Sequence, residues 1–193
     1  RALVTTYMAT FGVIISCIIG FTVGTLSFQN KRTTNFMLAV CDIFQTFPSF
    51  VYLIPVMMLF GVTDTSVLIA VVVYATIPAT RYTIEGLRSV PAALHDAASM
   101  SGVTKLQRLM KIEFPLAFPH MMLGLNQTIV FALFMVIIGA FIGTEDLGQY
   151  ILKALSDKKG AGIGLTLGLC VAFIGLIFDN LIRTWVDQRK KHL

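Results

Sequence analysis

The side chains of this sequence able to do chemistry are few, and their spacing assigns them no catalytic site. His95, His120 and His192 are too scattered to make a metal site, and no Ser-His-Asp or Cys-His arrangement can be placed. No pair of carboxylates faces a shared cavity, so the sequence points to no enzyme. Cys17, Cys41 and Cys170 are odd in number, widely spaced and set in apolar stretches, which argues against disulfides and zinc. They read as small core residues. No G-x-x-x-x-G-K-[ST] phosphate loop is present, so the chain cannot bind ATP by that route. Nor does any apolar stretch carry the mid-span ionisable residues that proton- or sodium-coupled carriers use. Asp42 and Asp179 lie toward the ends of such stretches, where pairing with Arg32 or Arg183 is preferred over lining a passage. What remains is a polar triplet, Asn126-Gln127-Thr128, and aromatics including Phe47, Phe50, Tyr52, Phe131 and Phe134. Polar groups deep in an apolar stretch face protein or water, so the triplet either lines a passage or bonds between helices. Aromatic faces attract quaternary ammonium groups by about 0.5–2 kcal/mol each, although rings at helical spacing mostly pack against neighbours. Phe47, Tyr52, Asn126, Gln127 and Thr128 are the candidates for a passage.

The elements that must hold these groups are set by lipid. Of the 193 residues, 56% are hydrophobic and only 13% charged, with a mean hydropathy of +0.81, against roughly 25% charged in soluble domains. So little charge cannot cover a water-soluble fold. Asp, Glu, Lys and Arg are absent from 2–30, 43–63, 65–80, 114–144 and 160–178. Roughly 20 apolar residues let a helix cross the hydrocarbon core, so spans are expected at about 3–27, 36–61, 66–88, 119–143 and 161–183. Lipid admits only helices or closed barrels, and these runs lack the two-residue alternation of barrel strands. The expected fold class is all-α, a polytopic membrane helix bundle of one domain over residues 1–193. The first span is too long for a cleaved signal peptide. Because the sequence opens at Arg1 rather than Met, these five spans are a lower bound. Pro48, Pro55 and Pro78 are kink sites. Glycines at four-residue spacing (Gly20 and Gly24, Gly139 and Gly143, Gly160, Gly164 and Gly168) let helices approach closely.

Basic residues orient the bundle. Lys31 and Arg32 follow the first span, Arg81, Arg88, Lys105, Arg108 and Lys111 end or follow the third, and Arg183, Arg189, Lys190 and Lys191 follow the fifth. All three groups fall on one side, assigned to the cytoplasm. The N-terminus then faces outward and the C-terminus inward. This asymmetry accounts for the net charge of +5 without any nucleic acid.

Residues 89–115, between the third and fourth spans, differ in character. Pro91 suits the first turn of a helix, which runs from Ala92 to Met100 until Gly102 supplies a left-handed residue. Thr104 and Gln107 make a capping-box pair for a second short helix, expected to stop at Pro115, with Pro119 opening the fourth span. Ala92, Ala93, Ala97 and Ala98 leave little bulk to bury in lipid, where an interfacial helix would show larger apolar residues. They let a partner backbone approach closely. The first helix therefore reads as a docking element for a cytoplasmic protein.

At these residues the chain resembles a family. Asp96-Ala97-Ala98, three residues, Gly102, nine residues, then Ile112-Glu113-Phe114-Pro115 resembles the E-A-A loop of binding-protein-dependent ABC importer permeases, with Asp96 for Glu and Phe114 for Leu. In that family the loop is the coupling helix, seated in a groove of the ATP-binding subunit. The resemblance implies that Leu94, Asp96, Ala97, Ala98, Gly102 and Lys105 make that contact, and that the fold is the type I importer permease. It implies as partners a pair of cytoplasmic ABC ATPases, a second permease copy in a homodimer and an external solute-binding protein. ATP and Mg would be held by the ATPase, with no cofactor on this chain. Gly143-Thr144-Glu145-Asp146-Leu147-Gly148-Gln149 is similar to a glycine-rich external loop of the family. Two further stretches, 45–55 and 125–129, resemble the branch that imports glycine betaine, proline betaine, carnitine and choline. An ion-coupled carrier or channel is the alternative.

Overall fold

The computed structural model describes residues 2–140, 147–156 and 161–190. Every regular element among them is helical, as the all-α reading expects. The first helix, α1 (Ala2–Phe28), covers the first expected span. A tight turn follows, in which the Thr34 hydroxyl donates to the carbonyls of Ser27 and Asn30, each at 2.9 Å. The Asn30 side chain accepts from the Arg32 N–H at 3.0 Å, capping α2 (Lys31–Thr46).

The expected second span over 36–61 is not one helix. It is α2 followed by α3 (Phe50–Phe60), and the two are bent by 87°. The cause is Pro48, whose ring forces the residue before it out of the helical region. Phe47 is accordingly extended, with φ −71 and ψ 136. Thr63 then caps α4 (Asp64–Arg88), its side chain accepting from the Ser66 N–H at 3.2 Å.

After α4 come α5 (Ala92–Met100) and α6 (Lys105–Arg108), then α7 (Phe114–Ala140). Pro115 does not stop α6, and Pro119 does not open the next helix. A π turn at Leu109–Glu113 joins α6 to α7, so Lys105–Gly139 runs on for 35 residues. In that turn the Phe114 N–H donates to Leu109, five residues back. The widened turn offers room for the Pro115 ring, which would otherwise meet the preceding turn's carbonyl.

The glycine-rich loop expected at 143–149 lies outside the described residues up to 146. From Leu147 the chain is already helical, as α8 (Leu147–Ser156). The last helix, α9 (Ala161–Lys190), includes the fifth expected span and extends beyond it, with a shorter apolar stretch at Gly162–Ile177. Asp179 is on α9, but its side chain lies outside the described residues.

The core is built around α4, which packs on α1 along one side and α7 along the other. Val67, Ala70, Val71, Ala75 and Ala79 of α4 have no exposed surface, nor do Leu53, Met135 and Val136 around them. The α1–α4 approach depends on Gly20, where an added Cβ would lie 2.4 Å from Ala79 Cβ and 3.0 Å from the Thr80 backbone nitrogen. Backbone cannot yield as a side-chain tip can. Gly20→Val should therefore cost about 1–3 kcal/mol, read as a lower thermal midpoint in detergent. An unchanged midpoint would contradict the packing.

Large apolar side chains such as Ile18, Met58, Leu59, Leu123, Phe134 and Phe173 are exposed on the outside of the bundle. An apolar exterior of this extent suits lipid or partner helices rather than water. Cys17 and Cys41 are buried as expected, whereas Cys170 is exposed on α9.

Candidate coupling elbow and passage

The elbow at the end of α5 follows from one glycine. Gly102 has φ +69, a left-handed conformation that side chains with a Cβ resist. Around it the Val103 N–H donates to the Ala98 carbonyl and the Gly102 N–H to Ser99, each at 3.3 Å. This paired six-to-one and five-to-two pattern closes the helix end. Thr104 and Gln107 then exchange side-chain and backbone hydrogen bonds, at 3.0 and 3.3 Å, to start α6. The capping box expected from the sequence is present.

Most of the residues expected to meet a partner form the outer face of this elbow. Leu94 is 38% exposed, Asp96, Ala97, Gly102 and Lys105 are exposed, and Met100 beside them is 90% exposed. Ala98 departs from that expectation. It is 4% exposed, because it faces this chain rather than outward. Lys105 also borders a groove of about 490 Å³ between the end of α1 and the elbow, shared with Thr25, Phe28, His95 and Glu113.

Sequence reasoning missed what anchors the elbow. Glu113, buried in the π turn, holds Oε1 3.0 Å from His95 Nδ1 on α5 and 2.8 Å from Arg108 Nε on α6. Both contacts are close polar pairs rather than aligned hydrogen bonds. One carboxylate thus ties both arms of the elbow to the base of α7. A lone glutamate between Ile112 and Phe114 was the available signal, since an apolar setting demands a partner for it.

The passage candidates gather where α2 breaks. Phe44 stands 5.8 Å from Phe47 and 6.1 Å from Tyr52 between ring centroids, Tyr52 is 5.1 Å from Tyr74, and Tyr74 stacks on Phe131 at 4.8 Å. The Tyr52 hydroxyl donates to the Phe44 carbonyl. Phe47 is 40% exposed at the break, whereas Tyr52 is buried.

Beside this row lies a cavity of about 340 Å³ lined by Gln45, Pro78, Arg81, Tyr82, Glu85, Gln127 and Phe131. Gln127 therefore faces a space, while its neighbours in the triplet do not line it. Thr128 is fully buried, donates to the Gly124 carbonyl of its own helix at 2.8 Å and meets the Cys17 thiol of α1, so it bonds between helices instead of lining the cavity. Asn126 is half-buried with its bonding engaged elsewhere. Asp42 pairs with Arg81, not with Arg32. Arg81 is also bonded to Glu85 at 2.9 Å and Gln45 at 3.0 Å, so α2 and α4 are latched by one partly exposed guanidinium.

Residues 12–192 match the family described as "Binding-protein-dependent transport system inner membrane component". The chain belongs to this family. Relatives of this permease include the trimethylamine N-oxide transport system permease protein TmoV of Pelagibacter ubique (strain HTCC1062), 91% identical over 193 residues. That match covers all of this chain and 27% of the relative. The protein of the same description from Ruegeria pomeroyi is 45% identical over 193 residues, covering all of this chain and 29% of the relative. The glycine betaine/proline betaine permease ProW of Escherichia coli (strain K12) is 33% identical over 181 residues, 94% of this chain and 51% of the relative. The permease chain described here thus spans between about a quarter and half of these relatives. A chain of the MetNI methionine ABC transporter superposes with a TM-score of 0.85 at 19% identity, over 97% of this chain and 93% of that one. The fold is that of an ABC importer permease.

Proposed function

We propose that this chain is the translocating bundle of an ATP-driven importer that brings a small methylated-nitrogen solute into the cytoplasm. The observation that carries the reading is the elbow. An exposed, alanine-faced helix is fixed by Glu113 to the base of a helix that continues for 35 residues through the bundle. A push on α5 therefore reaches α7 without a flexible joint.

In this reading Leu94, Asp96, Ala97, Gly102 and Lys105 meet a cytoplasmic ABC ATPase, and closure of an ATPase pair drives alternating access as rigid-body movement. A second permease copy completes the passage, and an external binding protein delivers the solute. The bundle crosses the inner membrane five times, N-terminus outward and C-terminus cytoplasmic. The solute class follows from the relatives' names, which extend the betaine expectation to trimethylamine N-oxide. At 91% identity to a TmoV, the N-oxide is the solute we assign first.

The test is uptake by the full-length permease reconstituted with its ATPase and binding protein in vesicles. ATP inside should drive accumulation of trimethylamine N-oxide. Uptake that persists without ATP while a membrane potential is held would favour an ion-coupled carrier instead.

A further inference from the structure

We infer that the cavity beside the α2 break is a resting site for the solute, built for a small molecule joining a methylated nitrogen to an anionic oxygen. The inference rests on the importer reading above. The space of about 340 Å³ falls within the roughly 300–1,000 Å³ typical of small-molecule sites.

Its wall is polar in an otherwise apolar bundle. Among the described residues the Gln127 amide and the Tyr82 hydroxyl have no side-chain hydrogen-bond partner. Arg81 commits Nε to Glu85 and one Nη to Asp42 and Gln45, and its other Nη has no partner among the described residues. Polar groups without protein partners are costly at membrane depth, and they persist where water or a solute meets them. Each of the three can donate, and the Arg81 guanidinium can only donate, which suits an anionic oxygen.

The other end of the solute is served by Phe131, whose ring is held by stacking on Tyr74 at 4.8 Å. A fixed aromatic face attracts a desolvated methylammonium group. Asp42 and Glu85 together also outnumber Arg81, the charged residue they flank, which favours positive charge nearby. A simple cation would use only the ring and the carboxylates, and a simple anion only the donors. A betaine or an N-oxide uses both.

The experiment compares Gln127→Leu and Phe131→Leu with Gln127→Asn and Phe131→Tyr in the reconstituted transporter, using trimethylamine N-oxide and glycine betaine in turn. Because an external protein captures the solute, the half-saturating concentration should hold steady while maximal uptake falls. The leucine variants should lose about tenfold in maximal uptake, Gln127→Leu through a lost hydrogen bond to a charged group and Phe131→Leu through the lost aromatic face, while ATP hydrolysis continues. The asparagine and tyrosine variants, which keep the donor and the ring, should retain most of it. Wild-type uptake of either solute, with leucine variants matching it, would overturn the site and leave the importer reading standing. Wild-type uptake of neither would remove both.

Discussion

Replacing Gly102 by valine should lower ATP-driven uptake about tenfold or more, with membrane insertion unchanged. The reason is conformational rather than steric. Nothing lies within 4 Å of a Cβ built at Gly102, but its φ of +69 is one that a β-branched residue resists. Holding such a residue there costs about 1–3 kcal/mol, and 1.4 kcal/mol is a factor of ten in population. The nine residues of α5 have little helical stability of their own to offset it. The chain should relax by unwinding the end of α5 or turning it away from the docked direction. Asparagine tolerates the left-handed region, so Gly102→Asn should retain most uptake. Uptake assays on vesicles matched for permease content separate the two. Normal uptake by the valine variant would contradict the docking role of the elbow.

Glu113→Ala should release the elbow from the base of α7. The carboxylate is 3% exposed, and removing it leaves Arg108 and His95 facing each other across the gap. A fully buried pair broken this way costs about 3–5 kcal/mol. Here the two partners are 32% and 26% exposed, so water can recover part of that, and the lower figure of about 1–3 kcal/mol for an unsatisfied group applies. That still suffices to uncouple α5 from α7 in most molecules. Protease should cut within 89–115 faster in the alanine variant, and uptake should fall about tenfold. Glu113→Gln, which keeps the size and one acceptor, should lie between. Unchanged cleavage and uptake in the alanine variant would show that the anchor carries no force.

Much of this architecture was readable from local chemistry. The ends of α1 and α4 fall close to the expected spans because charge stops where lipid begins. Gly102 and the Thr104–Gln107 pair betray the elbow because a left-handed residue and a capping box each involve only a few neighbours. The features that escaped depend on distance. Pro48 signalled a kink, but not that the chain would turn by 87° there and divide the second span into two helices. Pro115 read as a stop, yet the π turn before it lets the helix continue. Arg32 is the basic neighbour of Asp42 along the chain, but the fold supplies Arg81 from 39 residues away. His95 and Glu113, eighteen positions apart, meet only because the elbow folds back on α7. Residue type alone leaves Thr128 between a passage and an interhelical bond, and only the packing of α1 on α7 brings it to Cys17.

The most direct test places one cysteine on the outer face of the elbow. Met100→Cys, at a position 90% exposed, is made in a Cys170→Ser background, which leaves Cys17 and Cys41, both buried, as the other thiols of this segment. A short reagent that is thiol-reactive at one end and photoreactive at the other is then applied to membranes containing the whole transporter. Our account predicts a cross-linked product of permease and ATPase that disappears when the ATPase is omitted. No such product, together with labelling of that cysteine by a membrane-impermeant reagent outside intact cells, would contradict it.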